Sequence, residues 1–136
     1  MICWDLSHSS AAQYLSDQGV DLVFVPAYWL ATDPEPQLSN HDHDPDYEKH
    51  LVQAWMFGRA VETESVWVLS NATGKPEDGY MGGSGVWAPL RGKVVGFDGV
   101  EEGVRFADVD LVNVLRDTKE AYKIREDYLK IRECRN

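Results

Sequence analysis

Only 2 cysteines occur in the 136 residues, at positions 3 and 134. A pair this sparse argues against the multi-bridge framework of small secreted domains and fits a reducing compartment, so a cytoplasmic location is expected. No stretch approaches the roughly 20 apolar residues a membrane span needs, and no charged-then-apolar leader is apparent; no membrane partner is expected. Positive charge is scarce too: 13 Lys and Arg stand against 23 Asp and Glu, a formal net charge of −10. The shortage is uneven, with 18 acidic and 6 basic residues over 1–115 but 5 and 7 over 116–136. So acidic a body repels a phosphate backbone, and no nucleic-acid partner is expected. The sequon Asn71-Ala72-Thr73 is read as idle.

What the chain does have is apolar bulk: 43% hydrophobic residues and 5 tryptophans, enough for the core of one domain of this length. Ser7-His8-Ser9-Ser10 offers N-caps to a short helix through Ala11, Ala12, Tyr14 and Leu15, closed by Gly19. Val20 to Val25 reads as a strand buried on both faces. Tyr47 to Glu64 has helical periodicity with Leu51, Ala54, Trp55, Gly58 and Val61 on one side, and Gly58 suggests close packing. Ser65 to Ser70 is a second buried strand. Gly85 to Pro89 and Val94 to Phe97 form a hairpin, and Val104 to Val109 alternates like a half-exposed strand. Asp110 is placed to cap a terminal helical segment over 112–136, with Leu115, Thr118, Tyr122, Arg125 and Leu129 at helical spacing. The result is an α/β class built on β-α-β units.

Cys3 is the first candidate for chemistry. Met1-Ile2 leads into it as the end of a strand would, and a thiol at a strand-to-helix junction gains from the following backbone N–H groups. The other reading is an inert core cysteine. Tyr28-Trp29, just past a strand, either floor a pocket or cover a sheet edge. His41-Asp42-His43-Asp44 lacks the i,i+4 spacing of a helical zinc site and reads as a polar loop, so no metal is expected. Gly82-Gly83-Ser84-Gly85 lacks the Lys-Ser/Thr ending of a phosphate loop. Cys134 sits in a charged tail as a bystander.

Five segments in order carry a resemblance: Ile2-Cys3-Trp4-Asp5; Gly19 through Ala27; Arg59-Ala60-Val61-Glu62; Gly83-Ser84-Gly85-Val86-Trp87-Ala88-Pro89 with Gly92-Lys93-Val94; and Ala107-Asp108-Val109-Asp110-Leu111. Together they resemble the C-terminal half of the carbon–nitrogen hydrolase (nitrilase) superfamily, over nearly the whole chain. The resemblance implies a partial α-β-β-α sandwich whose N-terminal half is missing. It implies hydrolysis of a non-peptide amide or nitrile through a thioester or thioimidate on Cys3. The Trp4 N–H would serve the oxyanion, Glu62 would support the site, and no metal or organic cofactor is implied. It also implies a homo-oligomer formed through Tyr47–Glu64 and Asp110–Cys134, with the loop Thr32–Asp46 setting specificity.

Two departures bear on activity. The glutamate base and the lysine of the family's triad lie upstream of the cysteine and have no counterpart here; Lys75, Glu77 and Asp78 show no spacing that replaces them. Ser7-His8-Ser9 stands where relatives carry an aromatic-proline-glutamate step. The expectation is therefore a catalytically incomplete chain that takes a small amide or nitrile only when an upstream half completes it. The alternatives are a non-enzymatic binding or dimerisation remnant, and an unrelated cysteine hydrolase using His8.

Overall fold

The computed structural model describes residues 1–134. Its centre is a sheet of four strands in the order β1-β2-β3-β4. β1 (Leu22–Ala27) and β2 (Val66–Asn71) run parallel, in register from Leu22 opposite Val66 to Ala27 opposite Asn71. Parallel neighbours need a crossover, and α2 (Tyr47–Glu62) provides it. β3 (Gly85–Ala88) and β4 (Gly92–Gly96) add an antiparallel hairpin, with an irregularity between Val86 and Trp87. Leu90 and Gly92 take positive φ at its turn, the twist a tight hairpin demands.

One face of the sheet is packed. Val23, Val25, Trp67, Leu69 and Trp87 meet Leu6, Ala12 of α1 (Ser9–Asp17), and Val52, Met56 and Ala60 of α2 in a single cluster. The indole N–H of the buried Trp67 donates to Thr63 Oγ1 at 3.0 Å and Ser65 Oγ at 2.8 Å, so burial leaves no donor unpaired. The opposite face is covered only in part: Val66 and Ala88 pack against Val114 of α3 (Leu111–Ala121). Phe24 on that face is 61% exposed and Leu22 is also exposed. The sequence expectation of a first strand buried on both faces is thus corrected: helices cover one side of β1.

Four further expectations change. No strand precedes the cysteine: Cys3–Ser7 is a 3-10 turn, and Met1 and Ile2 join no sheet. On α2 the buried face is Glu48, Val52, Met56, Arg59 and Ala60, about one residue round from the face expected. Two charged residues on the buried side, each paired there, hide the phase from a hydrophobicity pattern. Gly58 is exposed and a Cβ there would touch nothing within 4 Å, so close packing does not explain it. Residues 104–109 form no strand, and Phe106 is 89% exposed; alternation makes a strand only where a partner edge accepts it.

The terminal segment is two helices. α3 is capped by Asp110, whose Oδ1 accepts the Asn113 N–H at 3.1 Å. It ends before Lys123, which takes φ +54 and turns the chain into α4 (Ile124–Glu133). α4 is tied to the end of α1: Arg125 donates to the Ser16 carbonyl and lies 3.6 Å from Asp21, and Arg132 pairs with Asp17. No helix among the described residues is long and apolar enough to cross a membrane.

Two measurements check this packing. Met56→Ala removes a fully buried side chain and should cost about 2–5 kcal/mol in urea denaturation, whereas Phe24→Ala on the open face should stay within about 0.5 kcal/mol. The Asp110 carboxyl is held below its ordinary range, first by the Asn113 backbone N–H and then by the Asn113 side chain. A lowered folded pKa stabilises above the ordinary carboxylate value, and that contribution is lost as pH falls through the lowered one. The melting-temperature gap between the wild type and Asp110→Ala should therefore be widest near neutral pH and close progressively in acid.

Candidate functional site

The Cys3–Ser7 turn lies against β1, α1 and α2. Its first residue, Cys3, is half-buried and takes φ +44, a left-handed conformation that costs a non-glycine residue on the order of 1 kcal/mol. Asp5 closes the turn locally: its carboxylate accepts the Ile2 N–H at 3.0 Å, and its own N–H donates to the Ile2 carbonyl at 3.0 Å. Ser7 Oγ donates to the Trp4 carbonyl at 2.8 Å.

The stronger restraint comes from α2. The buried guanidinium of Arg59 donates through Nε to the Leu6 carbonyl at 3.2 Å and through Nη2 to the Ser7 carbonyl at 3.3 Å. Its Nη1 donates to Glu62 Oε1 at 2.9 Å. Glu62 therefore reaches the turn through Arg59, partly neutralising a buried charge and fixing the plane of the fork.

A second network holds the carboxyl ends of β1 and β2. Asn71 Oδ1 accepts the Trp29 N–H at 2.8 Å, while its Nδ2 donates to the Trp29 carbonyl at 3.1 Å and the Gly82 carbonyl at 2.8 Å. Ser84 Oγ accepts the Asn71 N–H at 2.9 Å and donates back to the Asn71 carbonyl at 3.2 Å. Trp29 is 1% exposed, and its indole N–H donates to the buried Glu48 at 2.7 Å. Its ring stands 5.2 Å from that of Trp4 and 5.8 Å from that of Trp55, so Trp29 is the wall behind the cysteine turn. Trp4 leaves 58% of its surface open.

Tyr28 is exposed at the end of β1, its hydroxyl 3.0 Å from that of Tyr80, whose ionisation is pushed up by that hydrogen bond. Of the residues singled out in the sequence, Cys3, Trp4 and Trp29 are brought together, Glu62 joins through Arg59, and Tyr28 turns outward. Lys75, Glu77 and Asp78 lie exposed on the loop after β2. His8 is exposed, and among the described residues no hydrogen bond links it to Cys3. In the polar loop His43 Nδ1 faces the His41 carbonyl at 2.9 Å and His50 Nδ1 faces Asp44 at 2.8 Å. No group of three His, Cys, Asp or Glu side chains converges among the described residues. Cys134 is exposed at the end of α4.

Sequence reasoning missed Asn71, Ser84 and Glu48. An asparagine closing an apolar strand, where the chain turns at once, is the trace Asn71 leaves; a glutamate in the first turn of a helix gives no sign that it will be buried.

No family model matches the chain. A carbon–nitrogen hydrolase from Helicobacter pylori superposes with a TM-score of 0.73 at 17% identity, over 93% of this chain and 44% of that one. A Saccharomyces cerevisiae protein of branch 10 of the nitrilase superfamily gives 0.65 at 20% identity, over 89% and 40%. The fold is that of a carbon–nitrogen hydrolase. The four-stranded mixed sheet with its flanking helices matches part of the nitrilase-type α-β-β-α sandwich. In sequence, the chain is 28% identical over 111 residues to a 2-oxoglutaramate amidase of Bacillus subtilis, 82% of this chain but 37% of that protein. The chain thus spans less than half the length of each of these three proteins.

Arg59→Ala should destabilise by about 2–4 kcal/mol, because the buried Leu6 carbonyl, the part-buried Ser7 carbonyl and Glu62 lose their partner together. Arg59→Lys should recover less than about half of that, since one ammonium cannot span both carbonyls. Urea midpoints at unchanged slope check both.

Proposed function

We propose that this chain belongs to the carbon–nitrogen hydrolase superfamily and supplies the nucleophile half of a site that hydrolyses a small non-peptide amide or nitrile. The observation that carries this reading is Cys3 itself: a thiol at φ +44, opening a turn pinned from outside by Arg59, beside the carboxyl end of β1. Strained backbone conformations cluster at functional sites, and the ends of strands are where open α/β sheets place chemistry.

In this reading the Cys3 thiolate adds to the amide or nitrile carbon. An amide gives a tetrahedral oxyanion that accepts a hydrogen bond from the Trp4 backbone N–H, loses ammonia or an amine, and leaves a thioester that water hydrolyses to the acid. A nitrile gives a thioimidate; water adds to its carbon, and the tetrahedral adduct expels ammonia to leave the same thioester. Glu62 holds Arg59, Arg59 holds the turn, and Trp29 backs it. No metal or organic cofactor takes part. The proton-transfer carboxylate and the ammonium that balances the oxyanion come from outside residues 1–136, so these residues alone are inactive. The loop Thr32–Asp46 sets specificity.

The same reading makes the protein a cytoplasmic homo-oligomer. Both cysteines are unpaired. The groove between α2 and the terminal helices is lined by Phe57, Val61, Pro89, Leu90, Tyr122 and Ile124, with Phe57, Leu90 and Tyr122 exposed. A second reading, a non-enzymatic binding or dimerisation module, is favoured by the open sheet face around Phe24.

The deciding experiment joins residues 1–136 to a polypeptide that supplies the missing carboxylate and ammonium, and assays small amides and nitriles. Hydrolysis by the joined protein, none by the chain alone, and a loss of about 10³-fold or more in Cys3→Ala are expected. Mass spectrometry should find the acyl group on the peptide containing Cys3. Hydrolysis that survives Cys3→Ala overturns the nucleophile assignment; a stable joined protein without turnover or adduct favours the binding module.

A further inference from the structure

Glu64 follows α2 at φ +48, a conformation in which glycine or asparagine is the inexpensive choice. It is 1% exposed, and its Oε1 is buried with no hydrogen-bond partner among the described residues. A buried carboxylate oxygen without a donor is costly and calls for one. The side chain lines a cleft of about 350 Å³ together with Lys119, Lys123, Arg125, Glu126 and Leu129. None of these residues belongs to the cysteine turn or to the fork that holds it.

The charges around the cleft are unequally committed. Arg125 is spent on the Ser16 carbonyl and Asp21, and Glu126 pairs with Lys130 at 2.6 Å. Glu64, Lys119 and Lys123 form no ion pair among the described residues. The cleft thus presents one unpaired acceptor in its buried wall and two unpaired ammonium groups from α3 and the α3–α4 junction. Lys119 and Lys123 are both exposed. A simple cation meets the two lysines, and a simple anion meets Glu64. A ligand carrying both charges a few bonds apart satisfies all three, and the volume lies at the lower end for small-ligand sites.

We propose that this cleft binds a small zwitterion of the α-amino acid class, its ammonium on Glu64, its carboxylate between Lys119 and Lys123, and its side chain against Leu129. The site stands independently of the hydrolase reading.

Calorimetric titration of the purified protein with L-alanine, L-leucine and L-glutamine tests it, with propionate and propylamine as single-charge controls. Saturable 1:1 binding of at least one amino acid is expected, with both controls weaker by about tenfold or more. Glu64→Gln and the double variant Lys119→Ala/Lys123→Ala should each weaken that binding by about tenfold. The lysine variant alters only exposed side chains, so it decides the matter even if Glu64→Gln does not fold. The proposal is overturned if no amino acid binds, if propionate binds as tightly, or if binding survives the lysine replacements unchanged.

Discussion

Everything near Cys3 hangs on one guanidinium. Arg59 reaches from the last turn of α2 to the carbonyls of Leu6 and Ser7, closing the end of a short 3-10 turn that has too few residues to hold itself. A 3-10 turn of five residues has poor internal hydrogen-bond geometry. Its carbonyls, pressed against a helix, have little water to turn to. Glu62 makes the arrangement tolerable by pairing with the same guanidinium, so a buried charge is not left alone. The left-handed backbone of Cys3 persists because Arg59 holds one end of its turn and Asp5 the other.

The wall behind the turn obeys a similar logic. Trp29 has an indole N–H that burial would orphan, and Glu48 accepts it; the Trp29 backbone is met on both sides by the Asn71 amide. Asn71 also holds Gly82, and Ser84 holds Asn71. Polar side chains thus fasten the carboxyl ends of two parallel strands to the loop leading into the hairpin. Networks of this type rigidify when every member is satisfied.

The sequence discloses the parts of this fold that rest on continuous apolar runs. β1, β2 and the hairpin lie within a few residues of where their hydrophobic patterns put them, because a strand covered by helices needs such a pattern and turn residues bound it. A hydrophobicity pattern hides the phase of α2 because it counts charged residues as outward, whereas Glu48 and Arg59 are buried by specific partners that no local window contains. The stretch from Val104 to Val109 alternates correctly and still forms no strand, since pairing is decided by a neighbour. The break at Lys123 carries no glycine or proline to announce it. At the site, the cysteine segment and the Arg59–Glu62 pair were visible as motifs, whereas the Asn71 clamp exists only once two strands lie side by side.

Among the described residues β1 lies at the edge of the sheet, and its sequence gives the two halves of that edge different properties. The Asp21 and Ala27 carbonyls bond into β2, at 2.9 Å to the Val66 N–H and 3.0 Å to the Ala72 N–H. By the two-residue period of a strand, the backbone groups of Leu22, Phe24 and Pro26 point away from the sheet. Leu22 and Phe24 offer outward N–H groups to any incoming strand; Pro26 has none to offer. The loss therefore costs no bond within the sheet, and it makes the carboxyl half of the edge a poor template for runaway strand addition. The half that carries this guard is the one beside Tyr28 and Trp29, so uncontrolled polymerisation is discouraged where it would bury the cysteine turn.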